Sequence, residues 1–468
     1  MMKPTRDSGS RPRPSAKRNA PGRPAWPAVT AIAVGATAVG VWVWKLSESE
    51  GSPDRGKPGV ALAGSASALP EPEQERALRT EQLQAAEKLL AEFPDNDDVV
   101  YLAGLVRDEQ GDSDAAMKLW ARSLELDATR ADAHESLGYA LLLRDDYEQA
   151  EKHLRAALAI DPALLGARVR LATAVSHQGR MREVISILGV TNSLSAEAHR
   201  LMGEAYQHLL EYENAKASYE AAIRLKPDFM EAYYGLSRTC GQLGDREWSR
   251  ALLEKFSALK KASDDEGRSW RANFSPLRVA KKSVAQTHTD VGRVYLKQGR
   301  AREAEELWLK AAALDSSNTL CRLQLAVLYQ QTRKDRDALR CYEEVANIDP
   351  TDGLVQLNLG RVSMRLNQTE RAERAFKEVI KLEPKRPEGH SALAQLYLRT
   401  TRNLPQAREL AQTAVALGPE APNFVLLSRT CAANGDRASA LAAIDKAIEL
   451  EPTNEEYFQV RRMLLGNR

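Results

Sequence analysis

The chain has few of the residues from which chemical sites are built. Of its 468 residues four are cysteine, at 240, 321, 341 and 431. They form no CxxC pair and no dense framework, which excludes a disulfide-stapled mini-domain and a zinc site of recognisable spacing. Cys321 and Cys341 fall close enough in sequence to be the one pair worth testing for a disulfide. Aromatic residues make up 6% of the chain, and the net charge of +2 is too near balance for a chain-wide field that would draw nucleic acid. Seven histidines are present, but there is no HExxH, no metal-ligand spacing, no serine or cysteine nucleophile in a motif and no Gly-rich phosphate loop. No catalytic group, metal or cofactor can be named, and the sequence reads as that of a binding protein and not an enzyme.

What the chain does have is abundant Ala, Leu, Glu and Arg, all good helix formers, and an unusual front end. Residues 1–23 carry seven basic side chains against the single acid Asp7 and read as a disordered basic tail. From Pro24 to Trp44 there is no charge. A helix of that length spans about 31 Å, enough to cross a hydrocarbon core of about 30 Å. Trp26 stands at one end of it and Trp42 and Trp44 at the other, where interfacial aromatics belong. Residues 24–46 are therefore expected to be a single transmembrane helix, and 47–72, rich in Pro, Gly and Ser, a disordered tether. The basic flank predicts a cytoplasmic N-terminus and an extracytoplasmic body, in bacterial terms an inner-membrane protein facing the periplasm. A cleaved secretory signal is the competing reading. The spacings Ala31–Gly35 and Ala36–Gly40 suit a homo-oligomer joined through the segment.

From residue 97 the sequence repeats every 34 residues. In Asp97–Arg130, Ala131–Leu164 and Ala196–Phe229 the eighth residue is glycine (Gly104, Gly138, Gly203) and the twentieth alanine (Ala116, Ala150, Ala215). The twenty-fourth is large (Trp120, Leu154, Tyr219), and Pro162 and Pro227 stand thirty-second. The frame continues through Gly292, Ala304 and Trp308, then Ala326, Ala338, Tyr342 and Pro350, then Gly360, Ala372, Phe376 and Pro384. It ends with Ala394, Ala407 and Pro419, shifted by one inserted residue, and with Ser428, Ala440, Ile444 and Pro452. This pattern resembles the tetratricopeptide repeat, and about ten units stay in phase over 97–454. The resemblance implies an all-α, right-handed superhelical solenoid of about ten helix-turn-helix units preceded by the transmembrane helix. Each unit buries its apolar faces only against its neighbours.

Within each unit the eighth and twentieth residues are expected to face each other where two helices cross. Gly111, Gly179, Gly244, Gly299 and Gly435 are expected to turn the chain in the left-handed region. The array runs from 97–263 and from 285–454, with 264–284 read as an insertion or hinge. Residues 73–96 read as an N-terminal capping helix and 455–468 as a C-terminal one. The third unit shows a shortened second helix around Val184–Leu188, and the fifth lacks its terminal proline.

The resemblance also implies where partners bind, since ligands of this family contact positions 2, 5, 6, 9, 12 and 13 of the first helices. Position 9 holds Arg238, Arg293, Arg361 and Arg429; position 13 holds Lys297, Arg365 and Arg399. Tyr234, Leu323, Val327 and Leu357 lie between them, with Leu320, Leu354 and Val425. Guanidinium groups over an apolar floor suit an extended, acidic or carboxylate-bearing peptide. Asn358 is a lone candidate for the carboxylate clamp that some relatives use on chaperone tails. The expected function is a membrane-tethered protein-interaction scaffold. The alternatives are a cytosol-facing import, chaperone-cofactor or quality-control receptor and, with least support, a regulatory subunit of an enzyme complex.

Overall fold

Small residues at fixed intervals should let helices approach closely, and the computed structural model of the chain has that architecture. It describes residues 70–190, 194–273 and 275–466, with the backbone alone for 265–273. All of these belong to one unit, residues 53–468. The basic tail, the expected span and most of the tether lie outside the described residues. Among the described residues no helix is long and apolar enough to cross a membrane.

The described residues form helices and no strand. Helix α1 (Glu71–Glu92) is followed by a first array of five hairpins: α2–α3 (Asp97–Glu109, Ser113–Leu126), α4–α5 (Ala131–Leu142, Tyr147–Ile160), α6–α7 (Leu165–His177, Met181–Leu188), α8–α9 (Ala196–His208, Tyr212–Leu225) and α10–α11 (Met230–Gln242, Arg246–Asn273). The second array has α12–α13 (Pro276–Lys297, Ala301–Leu314), α14–α15 (Thr319–Gln331, Asp335–Ile348), α16–α17 (Gly353–Arg365, Thr369–Leu382), α18–α19 (Pro387–Thr400, Leu404–Leu417) and α20–α21 (Ala421–Ala433, Arg437–Leu450). Helix α22 (Glu455–Leu465) follows the last hairpin. Side-chain caps start many of the helices: Asn96, Asp112, Asp146, Ser195, Asn318 and Asp436 each accept from a backbone N–H one turn in. Helix α11 has no proline to stop it and runs on to Asn273.

The packing bears out one expectation about the repeat and adds to it. The eighth residue meets the twentieth, as where Ser428 donates to the Ala440 carbonyl at 2.7 Å and Ser249 to the Ser237 carbonyl at 2.8 Å, and it also faces the large twenty-fourth side chain. A Cβ on Gly292 would lie 2.5 Å from Nε1 of Trp308, one on Gly138 2.6 Å from Cγ of Leu154, and one on Gly203 2.8 Å from Cε1 of Tyr219. The tilt of the hairpin lays the big side chain into the notch that glycine leaves. Ala116, Ala150, Ala215 and Ala304, at the twentieth place, are fully buried. Trp308 also donates its indole N–H to the Thr289 carbonyl at 3.0 Å. All four cysteines are free and buried, so Cys321 and Cys341 are not paired. Burial pushes the Cys321 thiol up to about 11 and that of Cys341 to about 12.

Every hairpin turns through a left-handed residue at its fifteenth place. The five expected glycines are there with φ between 77° and 87°. Asp145, Leu210, Arg333, Asn367 and Thr401 adopt the same conformation in the other five, at φ 61°, 62°, 60°, 57° and 53°. The stacking imposes the turn whether or not the residue favours it.

Consecutive helices pack against each other throughout the described residues, with one exception. Among the described residues helices α11 and α12, which end at Asn273 and begin at Pro276, do not stack on each other. The face of α12 left open there is covered by α1, which packs on it about as extensively as the two helices of a hairpin pack together. Helix α1 thus does more than cap the first hairpin. It lies between α2 and α12 and joins the two arrays.

Candidate partner-binding faces

The first helices of the second array carry most of the expected basic residues, and neighbouring repeats neutralise several of them. Lys297 reaches Asp98 of the first array at 2.7 Å. Arg365 bonds Asp335 at 2.7 Å, and Arg429 bonds Glu456 at 3.0 Å. Arg293 pairs within its own helix with Asp290 at 2.9 Å, while Arg399 donates to the Asn367 side-chain oxygen at 2.9 Å. Arg238 and Arg361 are exposed and have no ion pair among the described residues. Arg238 lies 6.0 Å from the centre of the Tyr234 ring.

The apolar floor is uneven. Val327 is 43% exposed and Leu354 47%, and Tyr234 is also exposed, 5.5 Å from the Phe256 ring. Leu320, Leu323 and Asn358 are half-buried. Leu357 and Val425 sit in the core beneath and offer little surface to a partner. The structure therefore brings Arg361 and Arg365 together on one turn of α16 with Leu354 on the same helix and Val327 on α14. Arg238, on α10, belongs to the other array.

Three of the first helices of the first array, α2, α4 and α8, carry more Asp and Glu than Lys and Arg. Arg130 is held by Asp98 and Asp132, each at 2.9 Å, and by Asp97. It also covers the Tyr101 ring at 4.7 Å from its centre. Arg170 pairs with Glu135 and stacks 4.6 Å from the centre of Tyr139. Arg200 is shared by Glu197 and Glu204. Glu109 and Asp290 face the junction between the arrays. Carboxylates outnumber guanidiniums, and surrounding protein makes the excess costly. Burial raises Asp132 and Glu135 against the pull of Arg130 and Arg170. It likewise raises Glu109 against bonds from Ser283 and Gln82, and Asp290 against bonds from Gln286 and Arg293. Burial acts on Asp98 too, but hydrogen bonds from Lys297 and Arg130 bring it below the ordinary carboxylate range. Glu109 stays open to solvent.

No cluster of three or more His, Cys, Asp or Glu side chains suited to a metal occurs among the described residues. The histidines sit mainly in packing positions. His134 and His153 meet at 3.0 Å between their Nδ1 atoms, and His177 stacks on Tyr147 at 4.5 Å between ring centres.

The tetratricopeptide-repeat family matches the chain at residues 101–164 and 336–396 and again at 196–229 and 421–454. Solved structures with similar folds include YrrB, described as a tetratricopeptide-repeat protein with an unusual peptide-binding site. It is 20% identical, with 38% of this chain and 92% of that one covered and a TM-score of 0.35. The MamA protein is 19% identical over 37% of this chain and 94% of its own, with a TM-score of 0.34. Yeast Tom70 is 15% identical over 79% of this chain and 94% of its own, with a TM-score of 0.33. No curated protein matches the chain.

Proposed function

The chain is a tetratricopeptide-repeat protein, and from that premise we propose that it is a protein-interaction scaffold, tethered to a membrane through residues 24–44, whose second array binds an extended, carboxylate-bearing segment of a partner. The observation that carries the peptide site is Arg361. It is an exposed guanidinium without an ion pair among the described residues, at the same repeat place as the exposed Val327 one unit earlier and two turns along α16 from the exposed Leu354. A free guanidinium on first helices that also carry open apolar side chains gives a peptide carboxylate a forked donor and gives the peptide's apolar residues a surface to cover. Arg365 and Arg399 flank it, already bonded to Asp335 and Asn367, and they set the rim. The tether and the extracytoplasmic placement rest on the sequence of residues 1–46.

The test is a peptide library of mixed charge presented to the full-length protein in detergent, with affinities measured by fluorescence anisotropy. Acidic peptides with spaced apolar residues should be selected. Arg361→Glu and Val327→Asp should each weaken them by tenfold or more, with helicity unchanged. If neither substitution alters binding, the site is elsewhere. A topology reporter placed after Arg468 tests the orientation; a cytosolic signal would favour the receptor reading.

A further inference from the structure

The junction between the arrays differs from every other junction in the stack. It is not formed by neighbours in sequence. Gln82 of α1 meets Ser283 and Thr287 of α12, about two hundred residues away, and the two helices run parallel: Gln82 lies beside Thr287, and Phe93 beside Tyr295. Within a hairpin the helices run antiparallel. The centre of the junction is also polar. Gln82 is 1% exposed; the two N–H groups of its amide face three acceptors, Glu109 Oε2 at 2.6 Å, Ser283 Oγ at 2.9 Å and Thr287 Oγ1 at 2.9 Å, and its own oxygen accepts from Gln110 at 2.8 Å. His288 is buried against Glu81 at 3.2 Å, and its Nδ1 has no hydrogen-bond partner among the described residues. Glu81 also attracts Lys310 at 3.6 Å, and Arg300 pairs with Glu92 at the far end. Apolar contact comes from Leu89, Val99, Leu102, Ala285 and Val291, with Phe93 edge-on to Tyr295 at 6.2 Å.

In the frame of the repeat Gln82 stands at a twentieth place, counting back from Asp97, with Pro94 at the thirty-second. That twentieth place is a fully buried alanine in Ala116, Ala150, Ala304, Ala338 and Ala372. An amide there gains less on burial than an apolar side chain and leaves costly unsatisfied groups unless its partners all match. These terms lower the stability of this junction and raise its selectivity, because only α1 in this register sets one amide among Glu109, Ser283 and Thr287.

We infer that α1 is a clasp and that its seat on α12 is the joint at which the two arrays part and rejoin. Closed, the joint sets the first array beside the second, bridged by Asp98 and Lys297. Open, it leaves the arrays linked by the α11–α12 connection alone. Rejoining restores the same register because the polar centre accepts no other.

Hydrogen exchange on the full-length protein tests this in two steps. In the wild type, residues 71–92 and 276–288 should exchange through one shared opening, faster than 301–348. Gln82→Ala should then speed both segments together by roughly ten- to hundredfold and leave 301–348 unchanged. Gln207→Ala, which removes the bond to Thr239 at 3.2 Å in the first array, should leave both segments as they were. The inference is overturned if the two segments exchange at unrelated rates or only with global unfolding. It is equally overturned if Gln82→Ala speeds 71–92 alone, which is fraying and not a joint.

Discussion

Arg322 offers a test of what the repeats' contacts are worth. It is 7% exposed at the start of α14, where its guanidinium ties two repeats together. It donates to the Ala312 carbonyl at 3.0 Å, to Asp315 at 3.1 Å and to Asn318 at 2.8 Å, and its Nε donates to Glu344 at 2.9 Å. Three carbonyls at the end of α13 and the turn beyond it, where intrahelical partners run out, are thus satisfied by one side chain. Arg322→Met keeps the apolar stem and removes all four bonds. Each charged bond is worth about 1.5–3 kcal/mol when lost alone. The losses do not add, since carbonyls at a turn regain some water, so the expected cost is about 2–4 kcal/mol. Arg322→Lys is the sharper variant. An ammonium is a point donor and cannot span Ala312 and Glu344 at once, so Lys should cost about as much as Met. Glu344 is 45% exposed on its side chain, and Glu344→Ala should cost less than about 1 kcal/mol. Exchange protection of residues 301–331, or urea melts reading the same segment, would rank the three. If Arg322→Lys matches wild type within about 0.5 kcal/mol, charge alone holds the junction and the forked geometry explains nothing.

Three further outcomes follow from the same geometry. Leu210 is 69% exposed with φ 62°, so Leu210→Gly relieves about 1–2 kcal/mol of left-handed strain against about 0.5–1 kcal/mol of added chain entropy. It should raise stability in urea by about 0.5–1 kcal/mol; a loss would mean the turn is unstrained. A Cβ on Gly360 would lie 2.6 Å from Cδ1 of Phe376, so Gly360→Ala should cost about 1–2 kcal/mol after the helix-propensity gain, with Phe376→Leu restoring part of it in the double variant. Burial holds His288 below its ordinary value, against the pull of Glu81. The opened chain then takes up the proton first, and the joint weakens as pH falls below about 6.5. The protection factor of 71–92, which removes the hydroxide dependence of the intrinsic exchange rate, should therefore fall between pH 7.5 and 5.5. In His288→Gln that fall should be lost, since the raised carboxyls of Glu109 and Asp290 act in the opposite direction.

The repeat was legible because a stack of hairpins writes its contacts into one period. Gly104 and Trp120 meet because they are sixteen residues apart in a frame that recurs, as do Gly292 and Trp308. The left-handed turns were legible where glycine marks them and hidden at Leu210 and Arg333, where packing forces a conformation the residue does not favour. The clasp was hidden for a different reason. Nothing periodic relates Gln82 to Thr287, and a lone glutamine in a charged helix reads as a solvated face. The basic stripe fell between these cases. Its residues lie largely on exposed faces, but their partners come from other repeats: Asp335 for Arg365, Glu456 for Arg429, and Asp98 across the whole first array for Lys297. Position in a repeat tells which way a side chain faces; only the stack tells what it meets.

The joint constrains how the proposed scaffold can bind. A partner confined to Arg361, Val327 and Leu354 touches the second array alone and has no differential affinity for the closed and open forms, so it leaves the joint where it was, however tightly it binds. A partner that also reaches the acidic helices α2 and α4 must satisfy both faces in one spatial relation. Only the closed joint fixes that relation, and such a partner stabilises the closed form by its differential affinity for it. A partner carrying its own cation for Asp98 competes with Lys297 for that carboxylate and favours the open form. Charge on the partner therefore decides the direction: carboxylates placed on the second array leave the Asp98–Lys297 bridge intact, and cations placed at α2 break it.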